Sequence, residues 1–347
     1  MSILSGGQSD FFGLDIGTTS LRAVQLGGSG PSKTLGHYGE MTVDGRATIS
    51  DAKEDQLKLG QYVKQIVGKA GITTKNVAVN LPSEKVFTTV VDIDKMAPED
   101  LAKAIRYQAG SYIPTAIDES KIDYAVIGNS PRDPKKMEVL LTSVANSYAE
   151  SRLDILEGAG LNVVAFEPES MALVRALMPS DAVTPQMVLD VGDVSTDLII
   201  AAAGVPRLTR AIPIGIQSLI KSATQILGID VAQAEQFIFK FGLAKDKLDN
   251  QIYGAIIGTV DALMAEIDKS IKFFEDRYTG TKLDRIIVTG GASVTPELPL
   301  YIANKTGISV EIGNSWRNVS FPAERQNELL AVSNHFGVAV GLAEREA

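Results

Sequence analysis

The 347-residue chain has no cysteine, two histidines and one tryptophan. The missing cysteine excludes disulfides, thiolate catalysis, iron–sulfur clusters and cysteine-type zinc sites. It is compatible with a reducing compartment. His37 and His335 lie far apart in sequence, which leaves little for a histidine metal site. Basic residues are in deficit, 33 Lys and Arg against 42 Asp and Glu, for a net charge of −9. A nucleic-acid partner is therefore not expected, because backbone phosphates need a basic face. Apolar stretches such as Met187–Val191 and Leu198–Ala203 fall far short of the roughly 20 residues of a spanning helix. Residues 1–7 show no basic segment leading into an apolar run, so they read as a lead-in and not a signal peptide. Residues 341–347 carry no basic amphipathic anchor. What is present is ordinary globular composition, 45% hydrophobic and 22% charged, at a length that predicts two to three domains.

The pattern along the chain predicts alternating strands and helices. Phe11–Ile16 and Leu21–Leu26 read as a hairpin turning at Gly17-Thr18-Thr19-Ser20, with a third strand over 40–49. Leu59, Tyr62, Val63, Ile66, Val67 and Ala70 recur at helical spacing, with Ser50 or Asp51 as cap and Gly71 as stop. Residues 83–165 change style and read as a compact α+β block. Phe87, Tyr107, Tyr112 and Tyr124 in it are taken as its core, with a peptide groove as the alternative. Residues 179–186, holding Pro179, Ser180, Asp181 and Pro185, read as a linker. A second hairpin follows over 187–203 and a third strand over 207–213. Helices are expected at 216–227, 231–241 and 254–278, a strand over 286–289, and a last helix over 329–343. Trp316 reads as a packing anchor, His335 as a structural histidine and Lys135-Lys136 as a solvated turn.

The informative feature is a repeat. Asp15-Ile16-Gly17-Thr18-Thr19-Ser20 and Asp190-Val191-Gly192-Asp193-Val194-Ser195 share Asp, Gly and Ser at a constant offset of 175 residues. One Asp-x-Gly bend is common hairpin chemistry. Two at a matched offset point to duplicated domains with a common ligand. Glycine lets the backbone approach a bulky anion, successive N–H groups form an anion-binding concavity, and Thr18, Thr19, Ser20 and Ser195 add hydroxyls. Asp15 and Asp190 would repel bare phosphate, so Mg²⁺ is expected between them, held directly or through water. Gly290-Gly291, after the strand Ile286–Thr289, offers a flat surface for a nucleoside, or is a plain strand-to-helix joint. Glu167, before Pro168, either orients a water or caps the following helix.

These elements, in this order, resemble the actin-like ATPase superfamily: a first phosphate hairpin, a second, and an adenosine motif. The fold so implied is α/β, two duplicated ribonuclease-H-like lobes around a nucleotide cleft with a small inserted α+β domain. Phe166–Ser170 resembles a first connecting helix whose Glu helps position water and metal. Gly337–Ala343 resembles the second. Residues 11–26, with Arg22 two after Ser20, and 104–124 are similar to the PilM family of type IV pilus assembly proteins, related to FtsA.

That resemblance implies a first lobe at 11–85, 166–182 and 328–347, and an inserted SHS2-type domain at 86–165. It implies a second lobe at 186–215 and 283–327, and a helical subdomain at 216–282. It implies bound ATP and Mg²⁺. The nucleotide residues would be Asp15, Gly17, Thr18, Thr19, Ser20, Arg22, Asp190, Gly192, Asp193, Ser195, Gly215, Glu235, Gly290 and Gly291. Glu167 would be the catalytic candidate. The implied partners are the cytoplasmic N-terminal tail of the inner-membrane protein PilN and other pilus inner-membrane and motor components. The implied location is cytoplasmic and peripheral at the inner membrane, in the service of twitching motility.

The sequence departs from the superfamily pattern at Asp193-Val194, where chaperone relatives have glycines, at Ile216, where a second glycine is often seen, and at Ile238, where many place a Lys. ATP binding with weak or absent hydrolysis is the expectation. Two alternatives stay open. One is a small-molecule kinase with Asp193 or Asp197 as base, against which stands the lack of a polar sugar-binding cluster. The other is an FtsA-like division protein, a family that usually ends in a basic amphipathic helix.

Overall fold

The structure is a computed structural model describing residues 10–28, 33–179, 181–245 and 247–346. The expected lead-in at 1–7 and Ser180 of the expected linker lie outside the described residues. Two units emerge: residues up to 85 with 145–176 and from 314, and residues 86–144 with 177–313. Among the described residues no helix is long and apolar enough to cross a membrane.

In the first unit, a six-stranded sheet runs in the order Val319–Ser320, Lys33–Thr42, Ser20–Gly27, Phe12–Ile16, Asn76–Leu81, Asn162–Pro168. The strands Lys33–Thr42, Ser20–Gly27 and Phe12–Ile16 pair antiparallel. Phe12–Ile16, Asn76–Leu81 and Asn162–Pro168 pair parallel. Phe12–Ile16 is buried throughout, as expected of a central strand covered on both faces. Helix Lys53–Ala70 packs Leu59, Val63, Ile66 and Ala70 against the sheet. Its predicted cap differs. Residues 45–49 form a separate short helix capped by Asp44, Ser50 closes that helix, and the third strand lies earlier, at Lys33–Thr42.

The second unit repeats the plan. Its five-stranded sheet runs Val205–Ile212, Thr196–Ala202, Gln186–Val191, Arg285–Thr289, Ser309–Ile312. The first three strands pair antiparallel and the last three parallel. Taken in chain order, this sheet reads third, second, first, fourth, fifth, and the first sheet reads the same with its sixth strand, Val319–Ser320, added beside the third. The edge strand Ser309–Ile312 carries no sequence signal, being short and mostly exposed. The long helix Gln251–Arg277 buries Ile256, Val260, Leu263, Ile267 and Phe274 at helical spacing.

Further boundaries differ from the sequence reading, among them the first unit's segment expected to reach 182, which ends at Ala176. Residues 145–165 do not stay with the inserted block. Helix Asn146–Gly158 places Leu156 in the first unit's core, Gln56 Nε2 donates to Ser151 Oγ at 3.0 Å, and Asn162–Pro168 joins the first sheet. Residues 314–327 belong to the first unit and not to the second lobe, because Val319 pairs with Lys33 and Trp316 packs on Tyr38 and Phe336. The last helix is broken into Gln326–Val332 and Gly337–Ala343.

The inserted block is the three-stranded sheet Val86–Asp94, Lys136–Ala145, Ser120–Asn129 with helix Pro98–Gln108. Leu101 and Ile105 of that helix pack on Val91, Ile93, Val139 and Leu141, with Phe87, Tyr112 and Tyr124 at the margin. Tyr107 is not core: it is 88% exposed. The helix buries Leu101 and Ile105, and a residue two positions after Ile105 faces away from that stripe. The block is fastened within the second unit by Glu138, which accepts from Arg207 Nη1 (3.0 Å), Arg277 Nη2 (2.8 Å) and Tyr278 Oη (2.9 Å).

Candidate functional site

Each unit carries one bend of the repeat, and the two bends are built alike. Gly17 N donates to Ser20 O at 3.0 Å, and Gly192 N to Ser195 O at 2.9 Å. In the first bend, Thr18 O accepts from Thr48 Oγ1 at 2.6 Å and Thr19 O from Val43 N at 2.8 Å. In the second, Gly192 O accepts from Ile216 N at 3.0 Å and Asp193 O from Gln217 N at 2.9 Å. A trans peptide sets its N–H opposite its carbonyl. Tying these carbonyls back therefore turns the N–H groups of Thr19, Asp193 and Val194 the other way. That is the arrangement of an anion-binding bend.

Gly215 makes the second tie possible. A Cβ there would lie 2.6 Å from Asp193 O and 2.7 Å from Gly192 O. Gly290, at φ +88°, lies against the same bend: a Cβ would meet Asp190 Oδ1 at 2.2 Å and Val191 O at 2.5 Å. The second unit therefore gathers Asp190, Gly192, Asp193, Gly215 and Gly290. Gly291 starts a short helical turn, and Ser195 is half-buried. Glu235 is exposed on helix Val231–Phe241 and is not part of this group of contacts. The end of that helix is tied in by Leu243 N donating to Pro296 O at 2.9 Å.

The first unit gathers Asp15, Gly17, Ser20 and Arg22. Asp15, Arg22 and Glu40 sit in register across three neighbouring strands. Arg22 Nη1 lies 3.3 Å from Asp15 Oδ2 and its Nε 2.8 Å from Glu40 Oε1. Burial raises the Asp15 pKa despite Arg22. Glu40 is pulled down to about 2 by His335 first and Arg22 second, against burial. His335 Nδ1 stands 3.5 Å from Glu40, an ion-pair distance. The arginine expected to meet phosphate is thus committed to two carboxylates. In the second unit the matching register is Asp190, Asp197, Ala211. Two acids directly opposite repel, and a magnesium-bound phosphate suits that pair. The donor set fits a magnesium nucleotide: outward N–H groups for phosphate, carboxylate oxygens for a hard cation.

Glu167 is placed differently from the expectation. It is buried, and both oxygens are taken: Oε1 by Arg175 Nη2 at 2.6 Å and Oε2 by Arg345 Nη1 at 3.0 Å. The carboxylate is thus committed to two guanidiniums. It braces the two helices instead, since Arg175 also donates to Gly341 O at 2.6 Å. Beside it, Glu344 has neither oxygen hydrogen-bonded among the described residues. Burial pushes its pKa up to about 7, against the positive charges of Arg175, Arg317 and Lys33.

Glu344 makes the stability pH-dependent. An acid whose folded pKa lies above its ordinary 4.5 weakens folding as pH rises. Its contribution is intact below pH 4.5 and is lost as pH climbs through about 7. Glu344→Gln is expected to stabilise the protein by about 2 kcal/mol near pH 8 and to change little near pH 4. Urea denaturation at the two pH values checks this. Equal stabilisation at both would contradict it.

The sequence reading missed Asn80 and Glu169. Asn80 Oδ1 accepts from Ile16 N at 2.8 Å, and its Nδ2 donates to Ile16 O at 3.3 Å and Glu169 Oε1 at 2.7 Å. The signal was present: an asparagine inside the apolar strand Asn76–Leu81 needs buried partners.

Comparison with known proteins agrees with this architecture. The PilM-PilN type IV pilus biogenesis complex is similar at 22% identity and TM-score 0.83, over 97% of this chain and 98% of that one. MreB5 of Spiroplasma citri bound to ADP is similar at 12% and 0.58, over 95% and 94%. Ethanolamine utilization protein EutJ from Carboxydothermus hydrogenoformans is similar at 16% and 0.57, over 96% and 88%. The fold is the actin-like ATPase fold. Residues 13–347 match the family profile of type IV pilus assembly protein PilM. The chain belongs to the type IV pilus assembly protein PilM family.

Proposed function

We propose that this chain is a magnesium-ATP-binding scaffold of type IV pilus assembly. Its partner would be the cytoplasmic tail of a PilN-type inner-membrane protein, taken as a peptide, and it would hold that protein near the pilus motor. The location would be cytoplasmic, peripheral at the inner membrane through its partners. The observation that carries the nucleotide reading is the pair of bends whose carbonyls are tied back. The family and the similarity to a PilM-PilN complex support the partner.

In this reading the N–H groups of Thr19, Asp193 and Val194 and the hydroxyls of Thr18, Thr19, Ser20 and Ser195 bind phosphate oxygens. Gly290 and Gly291 give the nucleoside a flat backbone surface. Asp190, and Asp15 through the oxygen that Arg22 does not hold, would ligate magnesium directly or through water. The ion would supply charge neutralisation of the phosphates. Arg22 opposes the burial that raises the Asp15 pKa. Because Glu167 is occupied and Asp193 adds an acid to the second bend, turnover is expected to be weak or absent.

Ligand binding to one state of a two-state protein shifts its population. Affinity for a PilN-tail peptide should therefore be higher with Mg-ATP than without. Calorimetry with that peptide checks it: binding tightened at least about threefold by Mg-ATP is expected. No heat of binding in either condition would overturn the partner assignment.

A further inference from the structure

The parallel ladder between Phe12–Ile16 and Asn76–Leu81 stops early. Its last register pair is Leu14 with Val79, yet the first strand runs on through Asp15 and Ile16 into the bend. At that point a side chain replaces the ladder. Asn80 meets both backbone groups of Ile16, N–H at 2.8 Å and C=O at 3.3 Å. The amide orientation follows from its partners, since a backbone N–H must face the oxygen and a carbonyl and a carboxylate must face the nitrogen. Asn80 is buried, 4% exposed.

Glu169 holds Asn80 in turn. Its Oε1 accepts from Asn80 Nδ2 at 2.7 Å and its Oε2 from Ser83 N at 3.2 Å. It is the first residue of helix Glu169–Leu177, two positions after Glu167. One carboxylate thus ties the start of that helix to the exit of the strand Asn76–Leu81. Through Asn80, it reaches the residue between Asp15 and Gly17.

We propose that Asn80 and Glu169 are positioning residues for the first phosphate bend: they fix the two peptide groups flanking Ile16, and so the aim of Asp15 and Gly17 toward a nucleotide's phosphates. This rests on the nucleotide reading above. Neither residue touches the ligand. The pair acts by holding the bend in its binding geometry before the ligand arrives, which spares the cost of ordering it on binding. The relay has a polarity. An acid at position 80 would lose the donor to Ile16 O and would face Glu169 as a like charge. Changing Glu169 to Gln beside it would restore a donor–acceptor pair.

The test uses the full chain as wild type, Asn80→Ala, Asn80→Asp, Glu169→Gln and the double variant Asn80→Asp/Glu169→Gln. Two quantities are read: amide hydrogen exchange of residues 16–20 without nucleotide, and the Kd for Mg-ATP. Asn80→Ala is expected to speed exchange at Ile16 about tenfold or more and to raise Kd about tenfold. Asn80→Asp should do at least as much, and the double variant should recover at least about threefold in Kd over Asn80→Asp without reaching wild type, because the pair with residue 169 returns while Ile16 O still lacks its donor. A stability role alone would move the unfolding midpoint without this reciprocal recovery in Kd.

Unchanged Ile16 exchange in Asn80→Ala, or a double variant no better than Asn80→Asp, overturns the proposal. Should Asn80→Ala not fold, the comparison of Asn80→Asp with the double variant decides. If wild type binds no Mg-ATP, the functional reading fails by itself, and exchange at Ile16 still decides whether the pair fixes the bend.

Discussion

Glu138→Ala is expected to cost about 3–5 kcal/mol of folding stability, the range for breaking a buried ion pair from one side. Glu138 is 2% exposed. It accepts from Arg207 Nη1 at 3.0 Å, from Arg277 Nε at 3.1 Å and Nη2 at 2.8 Å, and from Tyr278 Oη at 2.9 Å. Truncation would leave two guanidiniums close together, one still paired with Asp92 at 2.9 Å. It would also loosen the inserted sheet on the strand and helix that supply those arginines, leaving Arg277 to Asp92 and Arg207 to Ile127 O. Asp92→Ala should cost far less, because Asp92 is more exposed and Arg277 would keep Glu138. A second signature accompanies the loss. Tyr278 is pushed up to about 12, by burial first and by Glu138 next. Ultraviolet titration of Glu138→Ala should show its phenol ionising at lower pH. Urea denaturation of Glu138→Ala within about 1 kcal/mol of wild type would contradict the account.

The second large effect concerns binding. Gly290→Ala is expected to weaken Mg-ATP affinity about 100-fold while costing only about 1–2 kcal/mol of stability. The backbone at φ +88° suits glycine, and the new methyl would sit 2.2 Å from Asp190 Oδ1 and 2.5 Å from Val191 O. One neighbour is the carboxylate proposed to serve magnesium and the other is backbone of the same bend. Neither can give way without re-aiming the site. Titration calorimetry alongside thermal denaturation separates the two effects. Full affinity in a folded Gly290→Ala protein would show that the Gly290 strand end is unconnected with nucleotide.

Much of this was legible in the sequence where local chemistry and burial agree. Ile216–Leu227 and Val231–Phe241 carry helical periodicity between clear punctuation, Gly215 and Gly228 for one and Asp230 and Gly242 for the other. The matched bends were legible because two Asp-x-Gly turns at one offset are hard to produce by accident, and five strands of each sheet follow one order. Other features depend on contacts that no local pattern encodes. Val319–Ser320 is a strand only because Lys33 and Thr34 lie beside it. Arg22 reads as a phosphate ligand from its spacing, yet cross-strand register places it between Asp15 and Glu40. Glu167 reads as catalytic from its place before a connecting helix. Arg345, 178 positions away, is what occupies it. Tyr107 reads as core or peptide groove beside Phe87, Tyr112 and Tyr124, and helix phase turns it outward from the core.

In the proposed function the two bends serve a magnesium-bound nucleoside triphosphate. Calorimetric titration of the wild-type chain with ATP, with and without Mg²⁺, tests it most directly. The account predicts one saturable site that needs the cation. No binding in either condition, or equal binding without the cation, would contradict it.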